Sequence, residues 1–163
     1  STSHHKTMEI GKKYCVSIEE IKQLNYNDCE TYFPPIYHGK VVKVLDGDSI
    51  VIATKFNFSS QSFKFFIRLK GCEAPSIRSK KQVNKKAGQY VKRRLRDKLL
   101  GTIVRVDNMI KEKHGRFIAD IYSSVDGTCI NDWLRESNLC VEYNGGKKEK
   151  INWCDIIGSE NFM

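Results

Sequence analysis

Along residues 38–54 the chain reads H-G-K-V-V-K-V-L-D-G-D-S-I-V-I-A-T, with apolar and polar positions largely alternating and most of the apolar ones β-branched. Such a pattern predicts extended chain. Asp46-Gly47-Asp48 breaks it once, so the stretch reads as two strands around a tight turn or bulge. A loop near residues 57–62 leads to a third strand over 63–70. From Ser79 to Leu100 the period changes: Val83, Ala87, Tyr90, Val91, Leu95 and Leu99 fall at helical spacing, which predicts one amphipathic helix ending at Gly101. T-I-V-R-V-D and R-F-I-A-D-I-Y then alternate as two further strands joined through residues 111–115. Ile130, Trp133 and Leu134 space another helix over 130–139. Upstream, Ser17 and Glu20 form a capping box for a short helix reaching Leu24, with Ile18, Ile21 and Leu24 expected to pack against the body.

Three strands, a helix and two strands is the order of an OB-type barrel, in which the helix between the third and fourth strands plugs one end. The expected class is therefore mainly β with helices (α+β): a five-stranded OB-fold barrel with a basic amphipathic helix and a further C-terminal helix. Pro34-Pro35 ends regular structure before it. The expected organisation is an N-terminal extension over 1–36, the barrel domain over 37–148 and a tail over 149–163. Asn144-Gly145-Gly146-Lys147-Lys148 reads as a flexible basic loop at the domain's end.

At 163 residues and 40% hydrophobic, the chain can bury one sizeable core. No apolar run approaches the roughly 18 residues of a membrane span, and no secretory leader is visible, so a soluble, monomeric and more intracellular than secreted protein is expected. Six cysteines without a C-x-x-C pair argue against a structural zinc site. Their even number permits three disulfides in an oxidising compartment, whereas a lysine-rich chain of this kind favours reduced, buried thiols.

Net charge is +9, and the segment from Arg78 to Lys98 alone holds ten Lys or Arg against one acid, Asp97. The whole excess thus sits on the predicted helix, as either a phosphate-facing surface or a solvated face. Lys80, Lys81 and Lys85 are its candidate nucleic-acid contacts.

Acidic groups in so basic a domain need a reason. Asp46, Asp48 and Glu73 stand at strand ends with Arg68, and several carboxylates together could hold a hard cation such as Ca²⁺; Asp-Gly-Asp is equally ordinary turn chemistry. Arg116 follows Lys113-His114-Gly115 at a strand junction. With Arg68 it would suit a phosphoryl clamp, although either arginine alone would more often be a surface charge. Phe63, Phe65 and Phe66 read as barrel filling before base stacking, and Tyr143 beside the glycine loop is the better stacking candidate.

Four ordered segments carry a resemblance: G-K-V-V-K-V-L-D-G-D-S-I at 39–50, I-R-L-K-G-C-E-A-P-S-I-R at 67–78, E-K-H-G-R-F-I-A-D-I-Y at 112–122 and I-N-D-W-L at 130–134. In order and spacing they are similar to the V-x-D-G-D-T, R-L-x-x-x-D-x-P-E, D-K-Y-G-R-x-L-A and V-N-x-x-L segments of the staphylococcal nuclease family. The resemblance covers about residues 38–148. It implies a phosphodiesterase acting on single-stranded DNA or RNA, in which Asp48, Glu73 and the Ala74 backbone carbonyl would hold Ca²⁺ and Arg68 and Arg116 would hold the scissile phosphate.

Three positions depart from the family pattern. Glu73 replaces a metal-binding Asp, Ala74 a Thr, and Ser76 stands where the family has its catalytic Glu. A serine hydroxyl is no general base near neutral pH, and losing such a base costs about 10²–10⁴ in rate. Reduced hydrolysis is therefore one implication, and a nucleic-acid-binding module without turnover the other. A protein-interaction domain with the helix binding an acidic partner is a third, which leaves Asp48 and the paired arginines without a role.

Overall fold

The structure, a computed structural model, describes Glu9 and residues 11–163, so residues 1–8 and 10 of the expected 1–36 extension lie outside the described residues. Within that extension, α1 (Ile18–Ile21) has the Ser17/Glu20 capping box in both directions. Its apolar side chains do not pack as expected. Ile18 is 72% exposed, and Ile21 and Leu24 are exposed as well. A single helical turn has too short a face to bury a stripe.

The strands follow as β1 (His38–Asp46), β2 (Ser49–Lys55), β3 (Ser62–Leu69) and β4 (Gly71–Glu73). Then come α2 (Gln82–Leu99), β5 (Ile103–Lys111), β6 (Arg116–Ser123), α3 (Ile130–Glu136) and β7 (Val141–Tyr143). Five strands close a barrel in the order β1-β2-β3-β6-β5, and β4 pairs with β7 in a separate two-stranded sheet. Every barrel pairing is antiparallel except β3 with β6. This is the OB-like architecture expected, with α2 between the third and fourth barrel strands and α3 beyond the fifth. No described helix is long and apolar enough to cross a membrane.

Alternation places Val41, Val44, Ile50, Ile52, Ile67, Leu69, Val104, Phe117, Ala119 and Ile121 in the core. α2 adds Ala87, Gly88, Val91, Leu95 and Leu99, while Val83, expected on its buried stripe, is exposed. The helix starts at Gln82, so Val83 lies in a first turn that extends past the core. Burial of Val91, Leu95 and Leu99, each 0% exposed, stabilises by about 1.5–3 kcal/mol apiece.

Two glycines set how closely α2 approaches the barrel mouth. A Cβ on Gly47 would stand 2.5 Å from Val91 Cγ1 and 2.9 Å from Ala74 Cβ, so the Asp-Gly-Asp glycine serves close packing. A Cβ on Gly88 would stand 2.7–2.8 Å from backbone atoms of Ser76 and Ile77. Alanine raises helix propensity by about 1 kcal/mol, but here backbone must move. Gly88→Ala is expected to destabilise by about 1–3 kcal/mol in denaturant unfolding, and an increase in stability would contradict this packing.

The segment expected as a tail, 149–163, folds back. Trp153 and Ile157 join the core, and Cys154–Gly158 form a π-helical turn. All six cysteines are free thiols, Cys72 and Cys140 buried but Cys15 and Cys29 exposed.

Candidate nucleic-acid interface

The parallel seam fixes where two arginines stand. Phe66 pairs with Arg116 and Arg68 with Ile118, while Ile67 and Leu69 pair with Phe117 and Ala119. The second set is buried, so the first faces outward and Arg68 and Arg116 are diagonal neighbours on one outer face. Gly115 (φ 77°) and His114 (φ 67°) take left-handed backbone just before Arg116, as a glycine at this junction suggested. Arg116 Nε lies 3.5 Å from Glu112 Oε2, an oxygen without a hydrogen-bond partner. A cleft of about 260 Å³ beside the seam is lined by Arg68, Gly71, Glu112, Ile118, Tyr143 and Asn144.

Arg68 is half-buried and oriented. Its Nη2 meets Glu73 Oε2 at 2.5 Å, and its guanidinium lies 5.5 Å from the Tyr143 ring centroid. β4 and β7 supply both partners, since Glu73 pairs with Val141 and Gly71 with Tyr143. Glu73 Oε1 in turn meets Lys148 Nζ at 3.0 Å.

Asp48 is 8% exposed at the β1–β2 turn. Its Oδ1 accepts from the Ser49 hydroxyl at 2.8 Å and its Oδ2 from the Ala74 backbone N–H at 3.0 Å. Asp46 Oδ1 accepts from the N–H groups of Gly47 and Ile77 at 3.1 and 3.3 Å. Burial, then the neighbouring Asp48 charge, raises the Asp46 pKa above the ordinary carboxylate value. Ser76 Oγ accepts from the Arg78 N–H at 3.1 Å. The Ile77 N–H ties the loop after β4 to the Asp46 turn, while the Ser76 hydroxyl is turned onto its own loop.

The expected metal ligands can be tested on these contacts. Ca²⁺ requires six to eight oxygen ligands. Both oxygens of Asp48 already accept hydrogen bonds, both oxygens of Glu73 face cations, and Ala74 meets Asp48 through its N–H. Among the described residues no three His, Cys, Asp or Glu side chains converge as a metal cage. In this arrangement Asp48 and Glu73 are each engaged by donors of the protein itself.

The basic residues divide between two surfaces. A hollow of about 340 Å³ is lined by Ser76, Arg78, Lys81, Lys148 and Lys150 among others, next to Glu73. Lys85 belongs instead to a groove along α2 with Ile77, Gln89, Lys92, Arg93 and Arg96. Lys80 is exposed and lines neither.

Residues beyond the sequence expectation complete the site. Asn131, 0% exposed, accepts from the Ile121 N–H at 2.9 Å and donates to Lys70 O at 2.8 Å and Ala119 O at 3.1 Å. Arg135 donates to Gly71 O at 3.3 Å. Together they fasten α3 to the corner between β3 and β4, the corner that carries Arg68 and Glu73. Asn131 belongs to the I-N-D-W-L segment at 130–134, whereas Arg135 carries no signal beyond its helical position. Compared with known proteins, the chain matches no family model and no curated protein.

Proposed function

We propose that this barrel captures the phosphodiester backbone of single-stranded nucleic acid, in the manner of a staphylococcal-nuclease-like domain that holds substrate without efficient turnover. The observation that carries this reading is the shared outer face of Arg68 and Arg116 on the parallel seam. Two guanidinium forks at diagonal positions match phosphate oxygens, and their charge-assisted hydrogen bonds are about twice as strong as neutral ones. Tyr143 beside Arg68 offers an aromatic face to a base. The four sequence motifs support the same reading.

Capture fits the geometry better than cleavage. Asp48 and Glu73 are engaged by their own neighbours, and Ser76 supplies no base. A second reading, slow hydrolysis, is favoured by one observation: Asp46 accepts from the Ile77 N–H, so a carboxylate, its proton affinity raised by burial, stands against the loop that carries Ser76 at the position where the family has its catalytic Glu. Asp46 would then accept the proton of an attacking water.

Fluorescence anisotropy with a labelled single-stranded oligonucleotide tests the reading. Arg68→Ala and Arg116→Ala are each expected to weaken binding about tenfold, the loss of a charge-assisted hydrogen bond. Wild-type affinity should fall with added salt. Unchanged affinity in both variants would reject the seam as the phosphate site. Multiple-turnover cleavage that Asp46→Asn abolishes while binding persists would establish the second reading instead.

A further inference from the structure

We infer that Lys148 is a phosphate-binding residue, its ammonium standing beside Glu73 where a divalent cation would otherwise be required, so that the site holds nucleic-acid phosphate without metal. The inference rests on the phosphate-binding reading of the same site.

The chain builds this position from both sides. Tyr143 Oη donates to Gly146 O at 2.7 Å, and Gly145 and Gly146 take φ of 98° and 87°. These left-handed angles turn the chain back after β7 at little cost for glycine. Beyond the turn, Trp153 and Ile157 are buried in the core and Ile151 packs against it. Lys148 is thereby returned to β4 from a distance of 75 residues in sequence, with Nζ 3.0 Å from Glu73 Oε1. The basic stretch expected as a flexible loop delivers a specific cation.

Its surroundings suit an anion. Arg68 and Lys148 each lie 5.5 Å from the Tyr143 ring centroid and both contact Glu73, so two cations share one carboxylate and positive charge remains. An ammonium has three donors. One meets Glu73, and the Lys148 side chain is 57% exposed, which leaves the others for a ligand. Glu73 and Lys148 line both the hollow with Ser76, Arg78 and Lys81 and a larger one of about 570 Å³ toward Tyr143 and Asn144. A backbone passing between these hollows meets Lys148. An exposed ion pair adds little to stability, so the effect of Lys148 belongs to binding.

The test uses the full chain and a fluorescent oligothymidylate, titrated in EDTA and in Ca²⁺. Wild type is expected to bind equally in both buffers. Lys148→Ala should bind about tenfold more weakly in EDTA with an unchanged melting temperature, and Lys148→Arg should restore most of the affinity. Wild-type binding lost in EDTA, or Lys148→Ala binding as wild type does, would overturn the inference while leaving the arginine seam intact. No wild-type binding in either buffer would overturn the phosphate reading and this inference with it.

Discussion

Replacing Asn131 by leucine is expected to lower stability by about 3–5 kcal/mol, more than any other single change at the site. Leucine is close in size, so the cost is polar. Asn131 is fully buried and caps the Ile121 N–H together with the carbonyls of Lys70 and Ala119. Lys70 O lies at the end of β3, where water does not readily replace a side chain bridging strand to helix. The Ile121 N–H is left without a partner, at about 1–3 kcal/mol; Ala119 O keeps the Lys70 N–H and Lys70 O a bond from Arg135, so the remaining cost is that of losing a buried network as a unit. For a chain of this length each kcal/mol shifts the melting temperature by about 2–4 °C, so a drop on the order of 10 °C should be seen by calorimetry. Asn131→Asp separates polarity from packing. It keeps an acceptor for Ile121 but loses the donors and buries a charge, and burial raises a carboxyl pKa. The folded state then binds the proton more tightly than the unfolded one, so the variant should lose stability as pH rises above the ordinary Asp value of about 4. A leucine variant within 1 kcal/mol of wild type would show that Asn131 is not the fastener of this corner.

How much of this was legible in sequence depended on the range of the interaction. Val41, Val44, Ile50 and Ile52 announce their strands because alternation is local, and Ala87, Val91, Leu95 and Leu99 announce a helix for the same reason. Gly71-Cys72-Glu73 and Val141-Glu142-Tyr143 are too short to show a period, and their pairing across the fold exists only once both ends are placed. The tail carries a weak signal of its own: Ile156 and Ile157 follow Trp153 at spacings of three and four before Gly158, which takes φ of 93°. At the site, Arg68 and Arg116 stood out through ordered motifs, and the seam's register brings them to one face. The Lys148–Glu73 contact was invisible because it depends on a glycine turn and a buried tail acting together. Asp-Gly-Asp is the turn between β1 and β2 that the pattern predicts, and the close approach of Val91 of α2 adds a packing demand on its glycine.

The largest loss of affinity is expected from α2. Neutralising Lys85, Lys92, Arg93 and Arg96 together to glutamine should weaken binding of a long single strand by about 10²–10³-fold near 0.1 M salt. These four side chains line one groove on the outer face of the helix. Among the described residues, no basic side chain of α2 forms an ion pair with a carboxylate. Other cations of the helix are stacked, Arg94 and Lys98 against Trp133, which holds them to the protein. The groove cations lack even that engagement, apart from Arg93 near Tyr90. Unneutralised like charges repel along a helix, so the neutral variant should be as stable as wild type or more so, and a binding loss cannot be ascribed to unfolding. For a single strand each phosphate contact contributes about 0.7 to the slope of log affinity against log salt. Four contacts removed should therefore reduce that slope by about 3, whereas Arg68→Ala should reduce it by no more than about 1. If the strand leaves the seam without crossing α2, the quadruple variant will keep the wild-type slope and the helix is a solvated face. A reduced slope with the seam arginines intact would instead place the strand along the helix, and short oligonucleotides that fill only the seam should then bind both proteins alike.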